Sequence, residues 1–275
     1  MNKRSKENAD NEHIEYKEII KSINPSKRLG QNFLLDKNLA KMEANFGIDK
    51  KVIEIGPGLG ILTKELCKKA KFVFAIEKDH RMFDILSKNI KCKNLKLVNK
   101  DFFDVDKKEL KEFDIIISNI PYNLSSKIIM WLAENRMNAL LCLQKEFVDH
   151  MLAKEGMHSY SRLSVVSTLN FKITKIVDVS QDSFYPKPKI KSSIVYIKST
   201  PSELKSDELN IISLLMMHKK KRLKNALLDS ASNLSISKER LRSIAEALPY
   251  KEERVFKLNP NKILEISRAI LKEFN

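Results

Sequence analysis

Residues 52–60 read Val52-Ile-Glu-Ile-Gly-Pro-Gly-Leu-Gly60, a short apolar run that passes into a glycine-rich turn. An amphipathic helical pattern follows the turn at 61–69. Further apolar runs predict strands at 72–77, 95–99, 115–118 and 139–143. Helical patterns lie among them at 81–90 and 125–134. Strands that alternate with helices in this way predict an α/β fold, a parallel sheet with helices on both faces.

The pattern changes near residue 200. Two runs before it, 173–179 and 193–198, predict an antiparallel hairpin at the sheet edge, and no convincing strand follows. Helical spacing dominates the remainder of the chain, with prolines separating the helices. We therefore expect three parts: an N-terminal extension at 1–26 that is flexible or forms a short helix, a sheet domain at 27–200, and a small all-helical C-terminal domain at 201–275.

Composition limits the class of protein. The chain has 275 residues, of which 43% are hydrophobic, so it can bury a substantial core. It contains no apolar run of about 18 residues and no apolar signal-peptide core near Met1, which predicts a cytoplasmic protein without a membrane partner. Its three Cys and five His show no metal-ligand spacing, so we expect no metal site. A monomer is the default expectation.

The net charge of +16 favours a polyanionic partner, although lysine-rich surfaces also serve solubility alone. The densest basic cluster follows Met217 and is predicted to lie on a helix that contacts RNA phosphates. Its members are Lys219, Lys220, Lys221, Arg222 and Lys224. A solvated helix face is the alternative interpretation of this cluster.

Residues suited to a nucleotide-type cofactor follow successive predicted strands. Gly56 and Gly58 allow the backbone to approach a ligand closely, just before a helix N-terminus. Glu77 ends the next strand, where a carboxylate can accept hydrogen bonds from ribose hydroxyls. Asp101 follows the third strand, beside Phe102, and could accept from an adenine amine. Because parallel strands end at one sheet edge, these residues are expected to converge.

A fourth strand ends in Asp114-Ile-Ile-Ile-Ser-Asn-Ile-Pro-Tyr122. The Asn119 side-chain oxygen and the Ile120 carbonyl, held by Pro121, can both accept hydrogen bonds from one exocyclic amine. Tyr122 offers a ring on which a flipped-out base can stack. This corner is the predicted active site.

Six motifs together resemble the KsgA-type ribosomal RNA adenine dimethyltransferases, to which the Erm methyltransferases are related. The motifs are Lys27-Arg-Leu-Gly-Gln-Asn-Phe-Leu34, Glu54-Ile-Gly-Pro-Gly58, Asn119-Ile-Pro-Tyr122, Leu143-Gln-Lys-Glu146, Tyr160-Ser-Arg-Leu-Ser164 and Phe184-Tyr-Pro-Lys-Pro-Lys189. The similarity covers about residues 27–200 and extends into the basic segment. Ile120 stands where the family more often has Leu, a volume-conserving exchange.

The resemblance implies a Rossmann-like class I methyltransferase sheet and transfer of two methyl groups from S-adenosylmethionine to each of two adjacent adenosines. These would lie near the 3′ end of small-subunit ribosomal RNA in an immature ribosomal subunit. By position, Tyr122 and Phe184 would sandwich the target base, and Asn119, Ile120 and Pro121 would form the catalytic corner. The cofactor would contact Gln31, Asn32, Leu34, Gly56, Gly58, Glu77, Asp101, Phe102 and Asn119.

Two alternatives remain open from the sequence. A DNA adenine methyltransferase needs the same amine-binding corner, although no DNA-recognition insertion is evident. A non-catalytic RNA-binding assembly or transcription factor could keep the fold and use only its basic surface. The complete set of Gly56, Glu77, Asp101 and Asn119 argues against lost catalysis.

Overall fold

The computed structural model describes residues 18–20, 22–26, 29–201, 204–234 and 236–274. The chain divides into two compact units. The sheet unit comprises the residues up to Lys145 together with Thr174–Lys198, and the helical unit comprises Glu146–Ile173 and the residues from Ser199 onward. Most of the predicted N-terminal extension, as well as Lys27 and Arg28 of the first motif, lies outside the described residues.

Two sheets contain the strands of the described residues. They are β1 (Phe33–Leu34), β2 (Lys51–Ile55), β3 (Phe72–Glu77), β4 (Leu95–Asn99), β5 (Ile115–Ser118), β6 (Asn138–Gln144), β7 (Phe171–Val179), β8 (Phe184–Tyr185) and β9 (Ser192–Ser199). Strands β1 and β8 form a small antiparallel sheet, and the other seven are ordered β4-β3-β2-β5-β6-β9-β7. Strands β2 to β6 pair in parallel, whereas β9 runs antiparallel to β6.

The strand order reverses between β2 and β5. The chain passes from β2 to β3 and β4 on one side, and then returns to place β5 on the other side of β2. Val52 is therefore in register with both Val73 of β3 and Ile115 of β5. Such a switch point leaves a crevice at the carboxyl ends of the strands, where open α/β sheets bind ligands.

Helices flank the large sheet. Those of the sheet unit are α1 (Lys37–Ala44), α2 (Ile61–Lys69), α3 (His80–Asn89), the short α4 (Lys107–Leu110) and α5 (Ser125–Asn135). The central strands are buried on both sides of the sheet, because the consecutive residues Ile116 and Ile117 of β5 point to opposite faces and neither is exposed to solvent. This double burial explains why these strands are continuously apolar rather than alternating. The predicted α/β fold is confirmed.

The helical unit is built from the remaining helices. They are α6 (Lys145–Met151), α7 (Arg162–Asn170), α8 (Ser206–Met217), α9 (Leu223–Asp229), α10 (Ala231–Leu234), α11 (Lys238–Ala247) and α12 (Pro260–Lys272). Tyr160 is fully buried in this unit and its hydroxyl donates to the Leu258 carbonyl at 3.0 Å. Val165 is buried in the same core as Ile212. The segment 146–173 therefore packs with the C-terminal helices, although the sequence boundary near residue 200 assigns it to the sheet domain.

The end of the predicted extension belongs to the sheet unit. Ile20 is fully buried in that unit's core, and Arg81 Nη1 donates to the Ile23 carbonyl at 2.7 Å. The expectation of flexibility is therefore wrong for the described residues 18–20 and 22–26, because an apolar side chain fixes them in the core. In the part of the chain that the structure describes, no helix combines the length and apolarity needed to cross a membrane.

Candidate active site

A cavity of about 360 Å³ lies in the sheet unit, at the carboxyl ends of strands β2 to β5. It brings together all nine residues that the sequence predicts to contact a cofactor. These are Gln31, Asn32, Leu34, Gly56, Gly58, Glu77, Asp101, Phe102 and Asn119. The convergence follows from the strand order, because the parallel strands β4, β3, β2 and β5 lie side by side and end at the same edge of the sheet.

The glycine-rich turn forms one wall of this cavity and is packed tightly from behind. Gly60 has φ +77°, and a Cβ atom there would lie 2.2 Å from Cδ1 of Ile90. Gly58 has φ +57° and leaves room for Phe33, whose Cδ1 would be 2.8 Å from a Cβ. Only glycine satisfies both the left-handed backbone and these contacts. The turn therefore presents bare backbone, followed by the N-terminus of α2, to the cavity.

Glu77 connects the end of β3 to this turn. Its Oε2 accepts a hydrogen bond from the Gly58 amide at 3.2 Å, and its Oε1 accepts from the Asp79 amide at 2.8 Å. Burial raises the pKa of Glu77 to about 7, against the opposing effect of these two hydrogen bonds. Each carboxylate oxygen retains a second lone pair for a ligand hydroxyl.

Glu54 is a cavity residue that sequence reasoning missed as a ligand contact. It lies within β2, is almost fully buried, and lines the same cavity as Gly56. Its Oε2 has no hydrogen-bond partner among the described residues, and burial raises its pKa to about 8. The sequence signal that could have identified Glu54 is an acid within the apolar run of a central strand. A carboxyl group buried there requires a partner, which a ligand can supply.

Asp101 and Phe102 form the wall beyond β4. Asp101 Oδ1 accepts from the Phe103 amide at 3.0 Å, and its Oδ2 pairs with Lys78 Nζ at 2.7 Å. The Phe102 ring packs edge-to-face on Trp131, with centroids 4.9 Å apart. Phe102 is thus held rigidly at the cavity wall by the core beneath it.

The corner after β5 begins at Asn119. Its Nδ2 donates to Glu43 Oε2 at 3.0 Å, whereas its Oδ1 is buried and has no partner among the described residues. Pro121 precedes a short 3-10 helix, Tyr122–Leu124, and the Tyr122 hydroxyl lies 2.6 Å from Ser192 Oγ. The amide orientation and the tyrosine ring are therefore both fixed by side chains distant in sequence.

A second, much smaller cavity adjoins this corner. It has a volume of about 10 Å³ and is lined by Asn119, Ile120, Tyr122 and Phe184, among others. Phe184 is buried in the core of the sheet unit and pairs with Leu34 across β1 and β8. The predicted base-binding side chains thus meet at one point, with room for about one water molecule. A planar base requires Tyr122 and Phe184 to separate.

A family model described as ribosomal RNA adenine dimethylase matches residues 23–264. The chain belongs to this family. The resemblance drawn from the six motifs and the predicted enzyme class, an rRNA adenine dimethyltransferase, are both confirmed by this membership.

Several members of the family are similar over nearly their full length. The chain is 35% identical over 262 residues to a protein of Thermococcus kodakarensis named probable ribosomal RNA small subunit methyltransferase A, with 92% of each chain covered. A protein of the same name from Methanococcus vannielii is 39% identical over 257 residues, which covers 89% of this chain and 96% of that one.

Solved structures agree with the fold. The crystal structure of a dimethyladenosine transferase from Plasmodium falciparum matches with a TM-score of 0.74 and 27% identity, covering 88% of this chain and 98% of that one. The 23S rRNA methyltransferase ErmE matches with a TM-score of 0.57 and 23% identity, covering 86% and 99% of the two chains, and supports the fold alone.

The basic segment of this family member differs from its predicted form. Lys219, Lys220 and Lys221 lie in a turn between α8 and α9, because α8 ends at Met217 and α9 begins only at Leu223. The prediction of one continuous helix is therefore wrong. Lys219 Nζ donates to the backbone carbonyl of Tyr160 at 2.6 Å, a hydrogen bond that holds this turn against the segment before α7 within the helical unit.

Ion pairs hold most of the remaining basic side chains. Lys221 pairs with Asp229, and both Arg222 and Lys224 pair with Glu252 at 2.6 Å. Lys220 is exposed and forms no ion pair with the residues that the structure describes. Its carbonyl accepts from Arg254, a basic residue that the linear pattern did not include. Contact of this cluster with RNA stays a prediction.

Proposed function

We propose that the chain transfers methyl groups from S-adenosylmethionine to the N6 amines of two adjacent adenosines near the 3′ end of small-subunit ribosomal RNA, two to each. The substrate would be an immature ribosomal subunit, met in the cytoplasm by a monomeric enzyme. One observation supports this most directly: Asn119 lines the cavity, and its buried Oδ1 has no partner among the described residues. An acceptor in that state suits an N–H donor brought by a ligand.

The cavity fits the proposed cofactor. Buried Glu54 Oε2 lacks a donor among the described residues, and the methionine part of S-adenosylmethionine carries an ammonium group. Glu77 can accept hydrogen bonds from the ribose hydroxyls, and Asp101 can accept from the adenine amine. When bound, S-adenosylmethionine supplies an electrophilic methyl group on a sulfonium centre.

Asn119 and Ile120 supply acceptors for the target amine. An adenine amine is a weak nucleophile because its lone pair is delocalised into the ring. Hydrogen bonds from its two N–H groups to Asn119 Oδ1 and to the Ile120 carbonyl would favour a pyramidal nitrogen whose lone pair faces the methyl donor. Tyr122 and Phe184 would hold the ring by stacking, which offsets part of the cost of unstacking the base.

The experiment compares methyl transfer by the full chain on immature small ribosomal subunits and on duplex DNA, with radiolabelled cofactor. We expect transfer to the ribosomal particles alone. Asn119→Ala should lower kcat by about 100-fold or more, because one preorganised polar contact to the reacting group is lost. Its affinity for S-adenosylhomocysteine should remain largely intact.

Asn135→Ala is the matched control. Asn135 is also a partly buried asparagine of the sheet unit, but its amide donates to the Trp131 carbonyl and it does not line the cavity. This variant should retain wild-type kcat. Transfer to duplex DNA, no transfer to either substrate, or near-normal dimethylation by Asn119→Ala would each contradict the proposal.

A further inference from the structure

Glu43 is an acidic residue at a fully buried position of α1. It lies on α1, one turn after Ala40 and next to Ala44, and all three side chains are fully buried. Burial raises the pKa of Glu43 to about 8, and the hydrogen bond from Asn119 only partly opposes this effect. A carboxyl group at such a position is costly to the fold, so its presence calls for a reason beyond packing.

The one side-chain hydrogen bond of Glu43 within the described residues is the contact with Asn119. Asn119 Nδ2 donates to Glu43 Oε2 at 3.0 Å, and Glu43 Oε1 is buried and meets no donor in the described part of the chain. An ionised carboxylate can only accept, whereas a neutral carboxyl group accepts at Oε2 only when its proton is on Oε1. The observed contact pairs the NH2 end of the Asn119 amide with an accepting Oε2, and the ionised carboxylate admits only this arrangement.

We infer that Glu43 is a positioning residue for methyl transfer, because its carboxyl group turns the Asn119 amide so that Oδ1 faces the target amine. This inference rests on the proposed function. The two ends of an asparagine amide differ in chemistry but hardly in shape, so local packing alone does not choose between them. Half a turn about χ2 would place NH2 where Oδ1 now lies.

The reversed amide would oppose the reaction in two ways. Its N–H groups would meet the N–H groups of the adenine amine, donor against donor. They could instead donate to the lone pair of the amine, which the reaction needs free for attack on the methyl group. Ionised Glu43 excludes both arrangements without touching the base.

A structural role and a positioning role make opposite predictions for stability. Replacing the buried carboxyl by a hydrocarbon of similar size removes the desolvation cost, so Glu43→Leu should unfold at the wild-type temperature or above it. The same variant leaves the Asn119 amide without its selector, so its kcat should fall about tenfold. Affinity for S-adenosylhomocysteine should change by less than about twofold, because Glu43 does not line the cavity proposed to bind the cofactor.

Glu43→Gln provides the rescue. Its side-chain oxygen can still accept from Asn119 Nδ2, but its NH2 group can also donate to a reversed amide, so we expect it to recover part of the kcat lost in Glu43→Leu. Glu65→Leu is the matched control, because Glu65 is a buried acid of α2 that pairs with Lys68 rather than with Asn119. That variant should keep the wild-type kcat.

NMR of the Asn119 side-chain NH2 group reports on the orientation without any turnover. In the wild type, its signals should show a hydrogen-bonded, slowly exchanging amide, and Glu43→Leu should abolish this signature while Glu43→Gln retains it. An unchanged Asn119 signal in Glu43→Leu overturns the inference. So does wild-type kcat in Glu43→Leu, or a loss of kcat that accompanies a lower unfolding temperature and is not rescued by Gln.

Failure of the proposed function is distinguishable from failure of this inference. If the wild-type enzyme transfers no methyl group to ribosomal particles, the proposed function is wrong, and the NMR signal still determines whether Glu43 orients Asn119. If the wild type is active and Asn119→Ala is not, but Glu43→Leu is fully active, only the positioning role is wrong.

Discussion

Cofactor affinity should depend on pH through Glu77. Burial raises the pKa of this carboxyl to about 7, and only its ionised form can accept hydrogen bonds from both ribose hydroxyls on top of the two backbone amides that it already binds. Binding therefore favours the ionised form and lowers the pKa of Glu77. The affinity should rise as the pH rises through about 7 and then level off.

The magnitude follows from the ionised fraction. With a pKa of about 7, roughly one tenth of Glu77 is ionised near pH 6 and nine tenths near pH 8, so the apparent Kd should be about tenfold weaker at the lower pH. Glu54 lines the same cavity with a pKa near 8 and adds a dependence of its own. The contribution of Glu77 is therefore the difference in the pH dependence of Kd between the wild type and Glu77→Gln, because the glutamine side chain does not titrate.

Isothermal titration calorimetry with S-adenosylhomocysteine measures this difference, in buffers of different ionisation enthalpy to count the protons released. The thermal unfolding of Glu77→Gln verifies that the variant is folded. Glu65→Gln serves as control, because Glu65 does not line the cavity and its loss should preserve the wild-type pH dependence. A wild-type Kd that is the same near pH 6 and pH 8, or that tightens as the pH falls, refutes the reasoning.

Two further predictions concern the turn and the basic cluster. Gly60→Ala should destabilise the protein by about 2–4 kcal/mol in urea unfolding followed by Trp131 fluorescence, because it combines a left-handed backbone with contacts at 2.2 Å. Gly56→Ala should cost only about 1 kcal/mol, since its Cβ would meet nothing closer than 3.7 Å, and equal losses would contradict the packing argument. Lys220→Ala should lower the salt dependence of RNA binding by about one counterion. Lys224→Ala should lower it by less, because the charge of Lys224 is paired with Glu252. Equal slopes of affinity against salt concentration for both variants would show that ion pairing does not decide which lysine contacts phosphate.

The sequence predicted the parts of the site that chain order determines. Glu77, Asp101 and Asn119 each follow a strand of a parallel sheet, and parallel strands end at one edge, so their convergence could be deduced from spacing alone. The same logic located the glycine-rich turn around Gly56. Predicting these residues requires no knowledge of side-chain packing, because the backbone topology alone brings them together.

Contacts between distant segments were not predictable in this way. Glu43 is separated from Asn119 by 76 positions, and Ser192 from Tyr122 by 70. Nothing in the spacing of α1 marks Glu43 as buried, because an acid on an amphipathic helix usually faces solvent. The basic segment was misinterpreted for a related reason: charge density alone does not distinguish a turn held by ion pairs from a solvated helix face.

Three buried acids, Glu43, Glu54 and Glu77, surround the proposed reaction, and burial raises the pKa of each above its ordinary value. Because the pKa of each acid is higher in the folded state than in the unfolded chain, the protonated acids favour the folded state at low pH. This contribution to stability is lost as the pH rises towards about 7 or 8. Near neutral pH the sheet unit is therefore less stable than it would be with apolar residues at these positions. In the proposed reaction each acid would instead provide a buried acceptor: Glu54 for an ammonium group, Glu77 for ribose hydroxyls, and Glu43 for the Asn119 amide. A stability cost at acids in or next to the candidate site is the expected mark of residues retained for chemistry.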